Sequence, residues 1–528
     1  MSSKIKLGLI LIVISVFTIS FFQPQSPTFL SIEKNTKIAL VGGNLGSRMI
    51  NYDHFETELH LRYPENNLMV RNMCDGGDTP GFRPHSARFA PWAFPGAEKF
   101  QSEFANPSQS EGHIETHDQW MSRLKMDVVI GFFGYSESYE GKANIANYKA
   151  ELEAFIMHTL AQKYNGVSAP QMAIVSPTAF ENLSAKIDLP NGTVQNANMA
   201  LYAQAMKEVC EKNNVLFINA FDASKKWYAE SKEDLTIDGF QLNNAGYKKL
   251  SLFLADQVFG KKKPAIESKR ADVYAAVEEK NWIWHTDFKI PNGVHVYGRR
   301  YNPFGPDNYP AEIEKIRQMT DNREAAIQAS IKGVKYDLAA ADAKTRTLDP
   351  VKTNFNPDKN GSLKYLYGTD ALNELKVAPG YKIDLFASEE EFPNLAKPVQ
   401  MTFDNKGRLW VVCMPSYPHY KPGDAKPNDK IIILEDTNND GKADKETVFA
   451  DGLHVPVGME ITEHGVFVSQ GTNLVLLKDT NGDDHADTKE VILSGFDDHD
   501  THHEISAFVT DESGAIYMGE GVFLHTNV

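Results

Sequence analysis

The sequence has few cysteines and no excess of positive charge, and each deficit excludes a class of function. Its three cysteines, Cys74, Cys210 and Cys413, lie far apart, with no CxxC, CxxCH or zinc-type spacing. The chain therefore encodes neither a covalent haem site nor a thiolate metal site, and it shows no disulfide framework. Its 54 basic residues are outnumbered by 70 acidic residues, which gives a net charge of −16. Because such a chain repels a phosphate backbone, we expect no nucleic-acid partner.

The N-terminus, by contrast, carries a long apolar run that predicts export. The stretch "MSSKIKLGLILIVISVFTISFFQPQ" places two lysines before an apolar run from Leu7 to Phe22. This is the plan of a signal peptide or of a short uncleaved membrane anchor, and the run is near the lower length limit for spanning a bilayer. We therefore interpret residues 1–28 as a signal peptide or N-terminal anchor and expect the protein in the periplasm or cell envelope.

Five short apolar segments between residues 37 and 260 predict a parallel sheet. They are "KIALVGG", "LMVRNMC", "DVVIGFFG", "QMAIVSP" and "VLFINA", and none alternates strictly between apolar and polar residues. Such segments are typical of strands that are covered on both faces. Because amphipathic helices lie between and after them, we predict a doubly wound, flavodoxin-like α/β domain. Ligands of such domains bind at the carboxyl ends of the strands, where Asn44 and Gly134 fall.

The rest of the chain divides into three parts that differ in composition and predicted secondary structure. Residues 262–333 are mostly helical and predict an extension packed on the α/β domain, and residues 334–370 form a polar linker. Residues 371–528 are β-rich and contain a repeat in which Asp436 matches Asp479, 43 residues further on. A β-rich repeat of about 40–45 residues predicts propeller blades, here about three. Since a closed propeller needs at least four, we expect an incomplete propeller, truncated relative to a longer protein.

Two loops of this repeat have the pattern of oxygen ligands for calcium. "DTNNDGKAD" and "DTNGDDHAD" place carboxylates and amides at alternating positions, although each departs from an EF-hand loop at one position. The candidate ligands are Asp436, Asn438, Asp440, Asp444, Asp479, Asn481, Asp483, Asp487 and Glu490. The alternative is a pair of hairpin loops with ordinary Asn/Asp/Gly turn chemistry.

Several motifs together resemble known families. Residues 37–260 resemble the SGNH/GDSL hydrolases through "VGGNLGSRM", "RNMCDGGDT", "GFFGYSES" and "DGFQLNNAGY". The whole layout is similar to large exported bacterial proteins that join such a domain to a propeller like that of quinone-dependent glucose/sorbosone dehydrogenases. The resemblance implies a role in carbohydrate metabolism, with a carbohydrate or acylated sugar as the ligand.

The SGNH resemblance also implies positions for the catalytic groups. The serine nucleophile corresponds to Asn44, the oxyanion glycine to Gly77 and the oxyanion asparagine to Ser136. The Asp-x-x-His pair corresponds to Asp238 and Gln241. Because an asparagine is no nucleophile and a glutamine cannot accept and return a proton, we expect a domain that binds ligands without hydrolysing them.

An active esterase or carbohydrate deacetylase remains an alternative. Ser47, three residues after Asn44, would then be a displaced nucleophile. The candidate substitute bases are His54, His85, His113 and His117. In the ordinary alternative Ser47 caps a helix and the histidines lie on the surface or in loops.

The dehydrogenase resemblance points to a second set of residues, in "GFDDHDTHHEIS". His502 or His503 would act as the base toward a sugar hydroxyl while a quinone takes the hydride. The resemblance implies quinone, haem c and an electron-transfer partner only for a chain that continues beyond Val528. For these histidines a metal site or ordinary solvated loop residues are the other interpretations, and for the whole protein a purely structural interaction module is a further alternative.

Overall fold

The computed structural model describes residues 27–85, 91–101, 114–261, 264–298, 300–356, 365–521, 524 and 526. The predicted signal or anchor segment, residues 1–28, lies outside this range except for its last two residues, and His113 also lies outside it. No helix within the described ranges combines the length and apolar character that crossing a membrane requires.

A five-stranded, fully parallel sheet forms the first part of the protein. Its strands are β1 (Lys37–Gly42), β2 (Met69–Asn72), β3 (Val128–Phe132), β4 (Gln171–Val175) and β5 (Leu216–Ile218). They are ordered β2-β1-β3-β4-β5, which is the flavodoxin-like order of doubly wound sheets. Each strand coincides with one of the five apolar segments, so the predicted α/β fold is confirmed.

Helices cover both faces of this sheet, which explains why the strands are apolar throughout. The helices are α1 (Asn44–Ser47), α2 (His54–Arg62), α3 (His117–Leu124), α4 (Ile145–Ala161), α5 (Thr193–Lys212), α6 (Ala220–Glu230) and α7 (Asn244–Phe259). Ile38 and Leu40 of β1 face the core under α2, α6 and α7. Ala39 and Val41 face the core under α3, α4 and α5. Adjacent side chains of one strand thus enter two different cores.

A helical segment follows, and its first two helices pack against the α/β domain. It consists of α8 (Arg270–Phe288), α9 (Gly305–Lys332), α10 (Leu338–Asp342) and α11 (Gly368–Glu374). Trp284 of α8 is buried in the core under α3, α4 and α5, and its ring meets Trp120 edge-on at 5.1 Å. Val273 and Val277 pack on Leu61 of α2 together with Ile327 of α9. Helix α8 therefore completes the hydrophobic core of the sheet domain.

The β-rich region forms antiparallel sheets. Its strands are β6 (Pro398–Phe403), β7 (Leu409–Cys413), β8 (Asp429–Glu435), β9 (Lys445–Leu453), β10 (Met459–Thr462), β11 (Gly465–Gln470), β12 (Asn473–Lys478), β13 (Thr488–Ser494), β14 (Ile505–Thr510) and β15 (Ile516–Glu520). Strands β6–β9 and β10–β13 form two four-stranded meanders, and β14 and β15 form a hairpin. The predicted change from an α/β domain to a β-rich region is confirmed.

The two meanders stack through alternating side chains. Ile431 and Ile433 of β8 share a core with Val475 and Leu477 of β12. On the far side of the second meander, Leu474 packs against residues of the hairpin region. The two "DTN" loops occupy equivalent places, between β8 and β9 and between β12 and β13. The 43-residue repeat therefore corresponds to one four-stranded sheet, while closure into a propeller stays a prediction.

Candidate functional site

The turn after β1 is held tightly against β3. A Cβ atom at Gly42, which has a φ of 118°, would collide with the backbone carbonyl of Phe132. The Gly43 N–H donates to the same carbonyl oxygen at 2.9 Å. Only glycine fits at position 42, and the turn delivers Asn44 to the carboxyl end of the strand, as the sequence predicts.

A small pocket at the carboxyl ends of β1, β3 and β4 brings two of the predicted site residues together. Asn44 and Ser136 both line it. The loop carrying Gly77 lies beside this pocket, because the carbonyl of its neighbour Asp78 approaches within 3.0 Å of where a Cβ on Gly43 would lie. The nucleophile position and the oxyanion-asparagine position of the resemblance therefore lie in one pocket, with the loop of Gly77 beside it.

Asp238 and Gln241 form a closed hydrogen-bonded unit near this pocket without lining it. The Asp238 carboxylate accepts from the Gln241 backbone N–H at 2.6 Å and from its side-chain amide at 3.2 Å. The side-chain oxygen of Gln241 in turn accepts from Arg48 Nη1 at 2.8 Å. Both ends of the glutamine amide are therefore engaged, at the position that the resemblance assigns to a base.

Arg48 connects this unit to the second antiparallel sheet. Its guanidinium, on a side chain only 3% exposed, donates to the carbonyl oxygens of Leu242 (3.3 Å), Val491 (2.5 Å) and Ile492 (3.3 Å). We call these contacts, with the one to Gln241, the Arg48 bridge. No sequence motif predicts this role of Arg48, because nothing in the sequence pairs it with a strand more than 440 residues away.

The neighbours of Ser47 are not the predicted histidines. Ser47 lines a second small cavity together with His285. His54 instead hydrogen-bonds Asn244 at 2.7 Å, His117 bonds the Met73 carbonyl at 2.9 Å, and His85 lies against the ring of His499. None of these three described histidines lines the cavity, so the structure does not bring them together with Ser47.

His285 is a poor base for Ser47. Burial, aided by the charge of Lys289, lowers the pKa of His285 to about 3. Its Nε2 is buried and has no hydrogen-bond partner among the described residues. Because its protonated form is so strongly disfavoured, His285 cannot hold a proton taken from a serine. Ser47 and His285 therefore lack the effective base that a catalytic triad requires.

Glu137 adds a protonated carboxyl to the pocket of Asn44. Burial raises the pKa of Glu137 to about 8, although one carboxyl oxygen accepts from the Gly134 N–H at 2.9 Å. Its Oε1 is buried without a partner among the described residues. At neutral pH this group is mainly a neutral acid and therefore a hydrogen-bond donor. The sequence gives no signal for this role, since burial alone creates it.

The histidines of the β-rich region meet around a buried carboxylate. Asp500 is 1% exposed and accepts from His502 Nδ1 at 2.9 Å, and His503 Nε2 lies 4.0 Å from its other oxygen. Nearby, burial lowers the pKa of His454 to about 4, and the ring accepts from the Tyr420 backbone N–H. Within the described residues no three His, Cys, Asp or Glu side chains are arranged to hold a metal ion.

In the two "DTN" loops, carboxylates bind backbone N–H groups. Asp436 accepts from Gly441 at 2.8 Å, and Asp479 accepts from Asp484 at 2.9 Å in the equivalent position. These bonds lower the pKa of Asp436 and are typical of Asx turns. Glu490 lies in β13, paired with Leu476. Calcium binding at these loops stays a prediction.

The buried titratable groups predict that stability falls above pH 6.5. Burial raises the pKa of Asp53 and Glu137 to about 8 and that of Asp498 to about 7. Such carboxyls stabilise the fold at low pH and lose this contribution as the pH rises through their folded-state pKa. Burial lowers the pKa of His285 and His454, so these side chains destabilise the fold only as the pH falls below about 6.5.

We therefore expect the melting temperature of the full chain to fall by a few degrees between pH 6.5 and 8. Glu137→Gln should make the free energy of unfolding fall less steeply with pH, by up to about 1.4 kcal/mol per pH unit. Thermal unfolding followed by circular dichroism at several pH values measures both quantities. A melting temperature that rises over this interval contradicts the prediction.

Comparison with known proteins gives one family match and several solved structures. Residues 368–527 match a family model described as a domain of unknown function, DUF7133. No curated protein matches the sequence.

The similar solved structures include hydrolases. A catalytic mutant of Axe2, an acetylxylan esterase from Geobacillus stearothermophilus, is 14% identical, with a TM-score of 0.31 over 45% of this chain and 100% of that chain. An α/β hydrolase from the metagenome of Lake Arreo is 14% identical, with a TM-score of 0.28 over 43% of this chain and 95% of that chain. A gut microbial diltiazem-metabolizing enzyme is 9% identical, with a TM-score of 0.38 over 60% of this chain and 97% of that chain. Similarity at these identities concerns the fold and not the activity.

Proposed function

We propose that this protein binds a neutral carbohydrate, or an acylated form of one, and does not hydrolyse it. The observation that carries the proposal is the hydrogen bonding of the Gln241 side chain. Its amide is held between the Asp238 carboxylate and the Arg48 guanidinium. Because an amide cannot take up and return a proton near neutral pH, this position supplies no general base. Asn44 likewise offers no nucleophilic oxygen.

The pocket of Asn44, with a volume of about 10 Å³, admits a single small group of a ligand, and its side chains suit an ester or hydroxyl oxygen. Asn44 and Ser136 line it and offer an amide and a hydroxyl, and Glu137 adds a carboxyl that is mainly protonated at neutral pH. Together they can donate hydrogen bonds to an ester or hydroxyl oxygen without attacking it. Export to the periplasm or cell envelope, predicted from residues 1–28, is part of the same proposal.

The test is an assay of the full chain with p-nitrophenyl acetate and acetylated xylan. We expect no hydrolysis above that of Asn44→Ala, together with calorimetric binding of acetylated xylo-oligosaccharides that Ser136→Ala weakens. Turnover that disappears in Ser47→Ala would overturn the proposal and identify an esterase with a displaced nucleophile.

A second candidate function, oxidation of a sugar, is favoured by the Asp500–His502 pair. A carboxylate on Nδ1 leaves Nε2 of the imidazole to accept a proton from a hydroxyl. If this candidate is right, the full chain reduces a supplied quinone when a sugar is present, and His502→Ala abolishes that reduction. If no reduction occurs, the Asp500–His502 hydrogen bond is structural and this candidate function is rejected.

A further inference from the structure

A large cavity separates the α/β domain and helix α8 from the second antiparallel sheet. Its volume is about 910 Å³. One wall comes from the segment after α1, from the start of α7 and from α8, and the other comes from β11, β12 and β13. Thr488 and Lys489 at its rim are exposed, so the cavity opens to solvent. We call it the interdomain cavity.

The lining of the interdomain cavity is rich in uncharged hydrogen-bonding groups. Amide and hydroxyl side chains come from both walls, and two aromatic rings accompany them. The amides and hydroxyls are Asn51, Asn243, Asn244, Asn281, Thr286, Gln470, Thr472, Asn473 and Thr488, and the aromatic residues are Tyr52 and Trp282. Amides that both donate and accept, placed beside aromatic surface, match the alternating hydroxyls and C–H faces of a sugar.

Two buried polar atoms in this lining have no partner among the described residues. They are the side-chain oxygen of Gln470, at the end of β11, and Nε2 of His285, on α8. Buried polar atoms in folded proteins are nearly always hydrogen-bonded, and leaving one unpaired is costly. Each atom lies beneath the cavity surface, and the residues that carry them line opposite walls, so a rotation of each side chain lets one ligand with several hydroxyl groups satisfy both.

The charges around the cavity select against an anionic ligand. Five carboxyl side chains line it, those of Asp53, Glu233, Glu278, Glu490 and Asp498, whereas Lys489 is the one lysine or arginine in the described lining. Burial keeps His285 and His454 neutral near pH 7 by lowering the pKa of each. Phosphorylated sugars and uronic acids are therefore disfavoured relative to neutral sugars.

We propose that the interdomain cavity is the binding site for a neutral oligosaccharide, held between the Gln470 side-chain oxygen and His285 Nε2. This inference rests on the proposed function in taking the ligand to be a carbohydrate. It adds a second site, between the two halves of the protein and apart from the pocket of Asn44. Binding there contacts both walls and so stabilises their arrangement.

The test is calorimetric titration of the full chain with xylohexaose and with a xylo-oligosaccharide that carries glucuronic acid. Gln470→Ala and His285→Ala should each weaken binding of xylohexaose by about tenfold or more, a change of about 1.4 kcal/mol. Gln204→Ala is the matched control, because Gln204 is an exposed glutamine on α5. It should leave the affinity unchanged.

A stability measurement separates a binding role from a structural one. Because Gln470 has an unpaired buried oxygen, Gln470→Ala should melt at the same temperature as the native chain, or higher, in the absence of sugar. Loss of both affinity and stability in this variant would overturn the assignment.

The remaining outcomes distinguish the two proposals. If the native chain binds xylohexaose and Ser136→Ala abolishes binding while Gln470→Ala does not, the interdomain site is wrong and the proposed function stands. If the native chain binds no sugar, the proposed function fails as well. If the glucuronic acid derivative binds more tightly than xylohexaose, the proposal that the ligand is neutral is wrong.

Discussion

Asn44→Ser combined with Gln241→His is expected to create an esterase activity that the native chain lacks. The double variant places a hydroxyl at the end of β1 and an imidazole beside Asp238, whose carboxylate lies 3.2 Å from the present amide nitrogen. Restoring a nucleophile and a base together should raise p-nitrophenyl acetate hydrolysis about a hundredfold or more above the native chain. Initial rates of the purified full-length variants measure the effect.

The Arg48 bridge should limit this gain. A guanidinium that now donates to the side chain of Gln241 would lower the pKa of an imidazole in its place and occupy an acceptor. Adding Arg48→Met to the double variant should therefore raise the apparent pKa of the rate profile. Asn44→Ser alone is the control and should stay near the native rate, since a serine without a base is a weak nucleophile. A folded double variant with no activity contradicts the assignment of the two positions.

Lys280→Met is expected to cost about 3–5 kcal/mol of the free energy of unfolding, the usual effect of removing one partner from a buried ion pair. Lys280 is 0% exposed, and its ammonium contacts Glu56 at 2.8 Å and the Asn281 side chain at 2.6 Å. Burial, the largest influence, would raise the pKa of Glu56, but the Lys280 charge and the contact with His60 together outweigh it and lower that pKa to about 2. Without the lysine, a carboxylate remains buried with no cation of comparable strength.

The matched control replaces both partners. Lys280→Met with Glu56→Gln removes both charges, so it should be clearly more stable than Lys280→Met alone. The single variant should also become more stable at acidic pH relative to the native chain, because protonation then neutralises Glu56. Urea unfolding at pH 5 and pH 7.5 measures both differences. Equal destabilisation by the single and double variants contradicts the account.

The sequence predicts the sheet well because its signals are local. Each of the five apolar segments is long enough for one strand, and both faces of those strands are covered, so the missing alternation is itself informative. The Gly42–Gly43 pair likewise predicts the turn, since only a residue without a side chain fits against Phe132. The 43-residue repeat predicts that the two four-stranded sheets are equivalent, because each copy of the repeat is a local signal for one sheet.

The site is only partly predictable because its remaining members come from distant segments. Arg48 acquires its role from the carbonyls of β13, and His285 and Gln470 line opposite walls of one cavity although they are far apart in sequence. The proton on Glu137 depends on burial, which no short motif reports. Residues that belong to a spaced family motif are therefore predictable from the sequence, whereas residues that acquire their role through tertiary packing are not.

The burial of Lys280 and Trp284 has a consequence for how this protein can be divided. Both belong to α8, yet one neutralises Glu56 of α2 and the other fills the core of the sheet and donates to the Asn72 carbonyl at 3.0 Å. A fragment cut after residue 260 would leave a buried carboxylate unpaired and the space of an indole empty. The smallest portion that can fold around the sheet therefore extends through α8, and any exchange of domains has to carry that helix along.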